Sequence, residues 1–197
     1  MKTKIISITM IFLMMTGCTE KNSVSGHSSD SSIDSHPKES VSVTFDTQHQ
    51  NTLASNQYAI WVENADGNLI RTLYVSDFTG NRRGYERRKD ALNHWVTKAD
   101  PSDLTDKQMD AVSGPTPEDG SHTFTWDLKD NDGNQVPAGI YRIRVEGTLY
   151  WQSNVVYTGS FDTENPGKTE VSEERSEPDN HANEAMITNV KMKGTRE

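Results

Sequence analysis

FTWDLKDNDGNQVPAGIYRIRVE, Phe124 to Glu146, decides the fold. Phe124, Trp126 and Leu128 alternate with Thr123, Thr125 and Asp127, the period-two pattern of a half-buried strand. Asp127, Asp130 and Asp132 then offer acceptors to turn amides, and Gly133 and Gly139 supply backbone conformations that other residues resist. Pro137 stiffens the connection. Tyr141, Ile143 and Val145 restart an apolar face, with Arg142, Arg144 and Glu146 on the other side. The stretch is strand, long turn, strand, and Trp126 is expected to plug a core.

Outward from it, the same alternation recurs. VSVTF from Val41 is a first strand and QYAIWVE, Gln57 to Glu63, a second. In the second, Tyr58, Ile60 and Val62 face one way and Ala59, Trp61 and Glu63 the other. Asn64 to Asn68 contains the Asp66-Gly67 pair of a hairpin turn, and Leu69 to Val75 returns. Strands are also expected from His122 to Leu128, Ile140 to Leu149, Asn154 to Phe161 and Ala185 to Met192. The stretch 81–100 differs. Leu92, Trp95, Val96 and Ala99 fall at i, i+3, i+4, i+7, one face of a helix, which Pro101 ends. A second short helix is expected from Thr105 to Ala111. Residues 163–182 are polar and acidic and read as a loop. Seven or so strands with a helical insertion at about 84–112 predict a mostly β chain, an antiparallel β-sandwich over 40–193, with a closed barrel as the alternative.

The N-terminal stretch MKTKIISITMIFLMMTGC has Lys2 and Lys4 before an apolar run, Ile5 to Met15. That run is about half of the roughly 20 residues a membrane-spanning helix needs and suits a secretory signal. Met15-Thr16-Gly17-Cys18 resembles a bacterial lipobox, with Met15 in the place of the usual large residue. The expectation is a signal peptide at 1–17 and lipidation (palmitate among the acyl chains) of Cys18, the single cysteine. An ordinary cleaved signal is the alternative. More than one acyl chain would give a stable membrane anchor. Thr19 stands where an Asp would signal inner-membrane retention, so the expected location is the outer membrane of a Gram-negative envelope, facing the periplasm. Residues 18–39 are serine-rich and nearly without large apolar side chains, and read as a flexible tether.

The chain carries 20 Lys and Arg against 29 Asp and Glu, a net charge of −9. Removing Lys2 and Lys4 with the signal takes it to −11 by the same count. So acidic a surface argues against nucleic acid as a partner. The sequence has no GxSxG, HExxH or phosphate-cradling glycine loop, which points away from an enzyme.

The opening stretch resembles the WDGxDxxGxxVPxGxY segment of immunoglobulin-like domains, including that of the flagellar hook-capping protein. The resemblance implies an immunoglobulin-like sandwich. Five blocks in order, YAIWVENADGNLIRTLYV, LNHWV, DAVSGPT, GSHTFTWDLKDNDGNQVPAGIYRIRVE and ITNVKM, resemble the periplasmic family named domain of unknown function 2271. That family has no settled activity. Its members resemble neighbours of periplasmic flavin transferases and of PepSY-type membrane electron-transfer proteins, which implies envelope redox chemistry.

DAVSGPT, Asp110 to Thr116, resembles the target motif of the periplasmic flavin transferase: Asp, two variable residues, Ser or Thr, then Gly-Ala-Thr. The resemblance implies Asp110, Ser113 and Gly114 as recognition residues and Thr116 as the hydroxyl esterified to FMN. Arg82, Arg83, Arg87 and Arg88 would neutralise the phosphate if they fold nearby. Pro115 replaces Ala, removing an amide donor and restricting Gly114. The competing reading is a helix-to-strand connection. An electron carrier with covalent FMN is therefore set against a non-catalytic immunoglobulin-like binding or scaffolding lipoprotein. Asp127, Asp130, Asp132 and Asn134 give part of a calcium-loop spacing without its closing Glu, and a capped turn explains them better. His49, His94 and His122, and His27, His36 and His181 outside the strands, lack metal-ligand spacing.

Overall fold

The computed structural model describes residues 39–50, 55–149, 153–165, 167–176 and 184–196. The expected signal peptide, Cys18 and the expected tether up to residue 38 lie outside these residues, as do His27, His36 and His181. Among the described residues ten strands and three short helices follow in chain order: β1 Glu39–Thr47, β2 Gln57–Asn64, β3 Leu69–Ser76, α1 Gly84–Arg87, α2 Asn93–Ala99, α3 Asp106–Val112, β4 Ser113–Gly114, β5 Gly120–Trp126, β6 Ile140–Thr148, β7 Asn154–Asp162, β8 Lys168–Thr169, β9 Val171–Arg175 and β10 Ile187–Arg196. They form two sheets, β5-β1-β10-β8 and β4-β3-β2-β6-β7-β9. Every ladder is antiparallel except β3 with β4.

The two sheets pack face to face because alternate side chains of both are apolar. Val41, Val43 and Phe45 of β1 meet Tyr58, Ile60 and Val62 of β2, and Tyr141, Ile143 and Val145 of β6, in one buried cluster. Trp126 lies among them fully buried, its ring 5.2 Å from Tyr141 and 5.6 Å from Phe161. The longer strands place β3-β2-β6-β7 opposite β5-β1-β10, an immunoglobulin-like sandwich in which the place beside β1 is filled by the last strand. Among the described residues no ladder joins the two sheets, so the closed-barrel alternative is set aside.

The other face of β2 is buried as well. Ala59 and Trp61 pack with Val75, Leu92, Trp95, Ala99 and Met109 under α2 and α3. The helices cover the six-stranded sheet because their apolar residues have no other place to go. Leu92 belongs to this face but is not helical. It stands at φ 51° as the N-cap of α2, and the α-helical run breaks there and at Arg83, φ 51°.

Two carboxylates lie beneath the helical layer. Glu63 is 1% exposed and accepts from Trp61 Nε1 at 2.8 Å and Arg144 Nε at 3.2 Å. Glu146 accepts from the N–H groups of His94 and Trp95, from Asn154 Nδ2, and pairs with His94 Nδ1 at 3.1 Å. The hydrogen bond to Glu146 raises the pKa of His94, with Glu174 adding to it and burial and Arg144 opposing it. Such a group stabilises the fold fully below the ordinary histidine value and loses that contribution as pH rises through the folded-state value. The melting temperature of the wild type should therefore fall more between pH 6 and pH 8 than that of His94→Gln, measured by thermal circular dichroism. Equal falls in the two proteins would remove His94 from the pH response.

One expectation needs correction. Residues 163–182, read as an acidic loop, carry β8 and β9. The stretch VSEER has no apolar alternation because β9 is an edge strand with side chains largely in water. It is held by its ladder to β7, Val155 through Gly159 opposite Arg175 through Val171, which is backbone pairing that composition does not reveal. Charge on such an edge also discourages pairing with a second chain.

Candidate functional site

The turn that decides the fold sits at one end of the sandwich, where the described chain begins. Val41 lies opposite Trp126, and Glu39 pairs with Arg196. Two of its acidic residues, Asp127 and Asp130, are spent on structure. Asp127 pairs with Arg71 at 2.9 Å. Asp130 Oδ1 accepts from the N–H groups of Asp132 and Asn134, and these bonds hold its pKa below the usual carboxylate range. Among the described residues, no group of three His, Cys, Asp or Glu side chains gathers as metal ligands. His49, His94 and His122 stand on separate elements: His49 lines a surface hollow, His94 caps with Glu146, and His122 Nε2 bonds the Glu118 carbonyl.

DAVSGPT lies at the opposite end, roughly 26 Å away along β1 at about 3.3 Å per residue. Asp110 and Ala111 belong to the last turn of α3, whose start is closed by a capping box of Thr105 and Gln108. Ser113 and Gly114 form β4, parallel to Val75 and Ser76. Ser113 Oγ donates to the Met109 carbonyl at 2.8 Å. Gly114 lies beneath Tyr74, where a Cβ would come within 2.9 Å of the ring. The Gly114 carbonyl accepts from Asp77 N–H, and Tyr74 OH reaches the carbonyls of both Gly114 and Pro115. Pro115 follows the last bridged residue, so the parallel ladder ends where the donor is missing. The backbone from 113 to 115 is thus strapped to the end of β3.

Thr116 is half-buried and stands between two hollows. Its hydroxyl makes one long bond, 3.5 Å to the Asn56 carbonyl. On one side is an open cleft of about 600 Å³ bordered by Ser55, Gln57, Asp77, Phe78, Arg82 and the 113–116 segment. Gln57 is buried and its amide is engaged: Nε2 donates to Ser55 Oγ and the Asn56 carbonyl, and Oε1 accepts from Thr79. It is a rigid floor. On the other side a hollow of about 330 Å³ is lined by His49, Asn56, Glu118 and Asp119 among others.

The four arginines divide. Arg82 borders the cleft and its Nε bonds Asp77 Oδ2 at 2.7 Å. Arg87 lies 6.0 Å from the Phe78 ring centroid and donates to the Arg82 carbonyl. Arg88 Nη1 holds the Ser55 carbonyl at 2.8 Å, and burial lowers its pKa. Arg88 Nη2 is buried with no partner among the described residues. Arg83 points elsewhere, pairing with Glu86 at 3.7 Å beside a separate shallow hollow. Three of the four arginines therefore touch the wall of the Thr116 cleft. The sequence reading missed Ser55, Gln57, Tyr74, Asp77 and Phe78. Gly84 was the available signal: its amide bonds the Phe78 carbonyl, and a Cβ there would meet that oxygen at 2.3 Å, so α1 closes over Phe78 through a glycine.

Fold and cleft together define an immunoglobulin-like module with a small-molecule-sized cleft at one end of the sandwich. The chain belongs to the family described as predicted periplasmic protein, domain of unknown function 2271 (DUF2271), which matches residues 38–178. That places it in a family of the cell envelope. No curated protein matches the chain, and no solved structure does. No helix among the described residues is long and apolar enough to cross a membrane.

Proposed function

We propose that this protein is a lipid-anchored envelope carrier that bears FMN on Thr116 and serves redox chemistry in the periplasm. The observation that carries the reading is the placement of Thr116: its hydroxyl is nearly unengaged and borders the same cleft as Arg82. Joining FMN itself to a hydroxyl would have to expel water, so the donor is a flavin pyrophosphate such as FAD. Thr116 Oγ attacks the flavin-side phosphorus, the pyrophosphate P–O bond breaks, AMP leaves, and the hydroxyl proton passes to a base of the transferase. No electrons move in this step. The flavin then carries electrons between envelope partners, a PepSY-type membrane protein being the class its family neighbours suggest. Anchoring through Cys18 at the outer membrane would place the cleft at the end of the domain away from where the tether joins Glu39.

A second reading, a non-catalytic binding or scaffolding lipoprotein, is favoured by one observation. Ser113 and Gly114 are fully occupied in packing and in the β3–β4 ladder, so structure alone accounts for both. Co-production with a periplasmic flavin transferase separates the two. The carrier gains the mass of one FMN, less water, on intact-protein mass spectrometry, and Thr116→Ala does not. An unmodified, colourless wild type under conditions that modify a control target would overturn the carrier reading.

A further inference from the structure

We propose that the cleft beside Thr116 is itself a binding seat for a phosphorylated, planar aromatic ligand of the mononucleotide class, with Arg82 taking the phosphate and Phe78 the ring. Its identification with FMN rests on the carrier reading; its existence does not, because the seat is built from groups that need no ester. The volume of about 600 Å³ is within the range of small-molecule sites. The floor is rigid, since every amide atom of Gln57 is bonded within the protein.

The two ends of such a ligand find matching chemistry. Phe78 is half-buried: α1 closes over it through Gly84 and Arg87 lies across it, yet it still borders the cleft. A ring so held presents an apolar surface without losing side-chain freedom on binding. Arg82 is exposed, and Asp77 engages its Nε; among the described residues no hydrogen bond or ion pair occupies its Nη1 or Nη2. A guanidinium held by one nitrogen keeps a fork of donors for a phosphate. Asp77 also lines the cleft, so its carboxylate opposes the same anion. The seat therefore has a built-in restraint on affinity, which suits a resting place for a tethered group that must also leave to meet a partner.

The test uses the full chain carrying Thr116→Ala, which cannot form the ester, titrated with FMN and with riboflavin while flavin fluorescence anisotropy is followed. FMN is expected to bind about tenfold more tightly than riboflavin, the phosphate contributing one charge-assisted interaction. Adding Arg82→Ala should bring FMN down to the riboflavin affinity, and Phe78→Leu should weaken both ligands. Asp77→Asn should tighten FMN and leave riboflavin unchanged, a gain that misfolding does not produce. Equal binding of FMN and riboflavin with Arg82 intact would overturn the seat, as would no anisotropy change with either. An ester on wild-type Thr116 together with no binding here overturns the seat and leaves the carrier reading standing. FMN binding together with no ester under the transferase does the reverse.

Discussion

Trp126→Ala is expected to destabilise the domain by about 4 kcal/mol, the range for removing a large aromatic side chain from a packed core. Trp126 is fully buried, and its ring meets Tyr141 and Phe161 edge-on or tilted, the geometry aromatic pairs prefer. Its indole also donates to the Lys129 carbonyl at 2.7 Å. That bond fastens the long turn to the end of the core, so alanine would leave both a cavity and an unpaired carbonyl. Trp126→Phe retains a ring and loses the hydrogen bond, and should cost about 1–2 kcal/mol more than nothing but well short of alanine. For a domain of this size the alanine variant should melt roughly 8–16 °C lower, at about 2–4 °C per kcal/mol. Urea unfolding followed by near-ultraviolet circular dichroism measures it. A loss under about 1 kcal/mol would mean that the turn and its two strands do not depend on the tryptophan that joins them.

Legible strands such as β1 and β6 hide an alternating face, while β2, buried on both faces, was legible from its apolar run and the turn that follows it. Val41, Val43 and Phe45, or Tyr141, Ile143 and Val145, announce their burial by period, and Asp66-Gly67 announces its turn. β9 was illegible because nothing on it is buried enough to leave a pattern, its stability coming from the β7 ladder. Leu92 was legible as buried but not as an N-cap, since periodicity reports which side a residue faces and not its φ. At the candidate site the sequence named Thr116 through a motif and the arginines through their clustered charge, but not Phe78, Asp77 or Tyr74. Those residues come to Thr116 through the parallel β3–β4 bridge, a long-range pairing with no local signature. The same bridge explains Ser113 and Gly114 without any ligand, and so the motif alone could not decide its own meaning. What the fold adds is the cleft, which the packing of Ser113 and Gly114 does not require.

Glu146→Ala is expected to cost about 3 kcal/mol and to loosen the helical layer while leaving the two sheets paired. The α2 helix has no side-chain cap of its own, because its N-cap is Leu92. Its first amides are satisfied instead from β6: Thr148 Oγ1 accepts from Leu92 N–H at 3.0 Å, and Glu146 accepts from His94 N–H at 3.2 Å and Trp95 N–H at 2.9 Å. A carboxylate at a helix start is favoured by both the free N–H groups and the helix dipole. Glu146 is fully buried, so the bonds to His94 and Asn154 Nδ2 are needed to offset its desolvation. Alanine removes the acceptor and strands these donors where water reaches poorly, which is costlier than losing an exposed cap. Trp95, buried and donating to Thr72 Oγ1 at 3.1 Å, rides on α2 and should report the change by a red-shifted emission. Far-ultraviolet dichroism should keep its β signal. Glu146→Gln retains one acceptor oxygen and should recover part of the stability but not all, since its amide nitrogen would face donors. If the alanine variant instead unfolds the sheets and helices in one transition with unchanged cooperativity, the helical layer is an inseparable part of the core. If it loses less than about 1 kcal/mol, the carboxylate of β6 does not hold the helix in place.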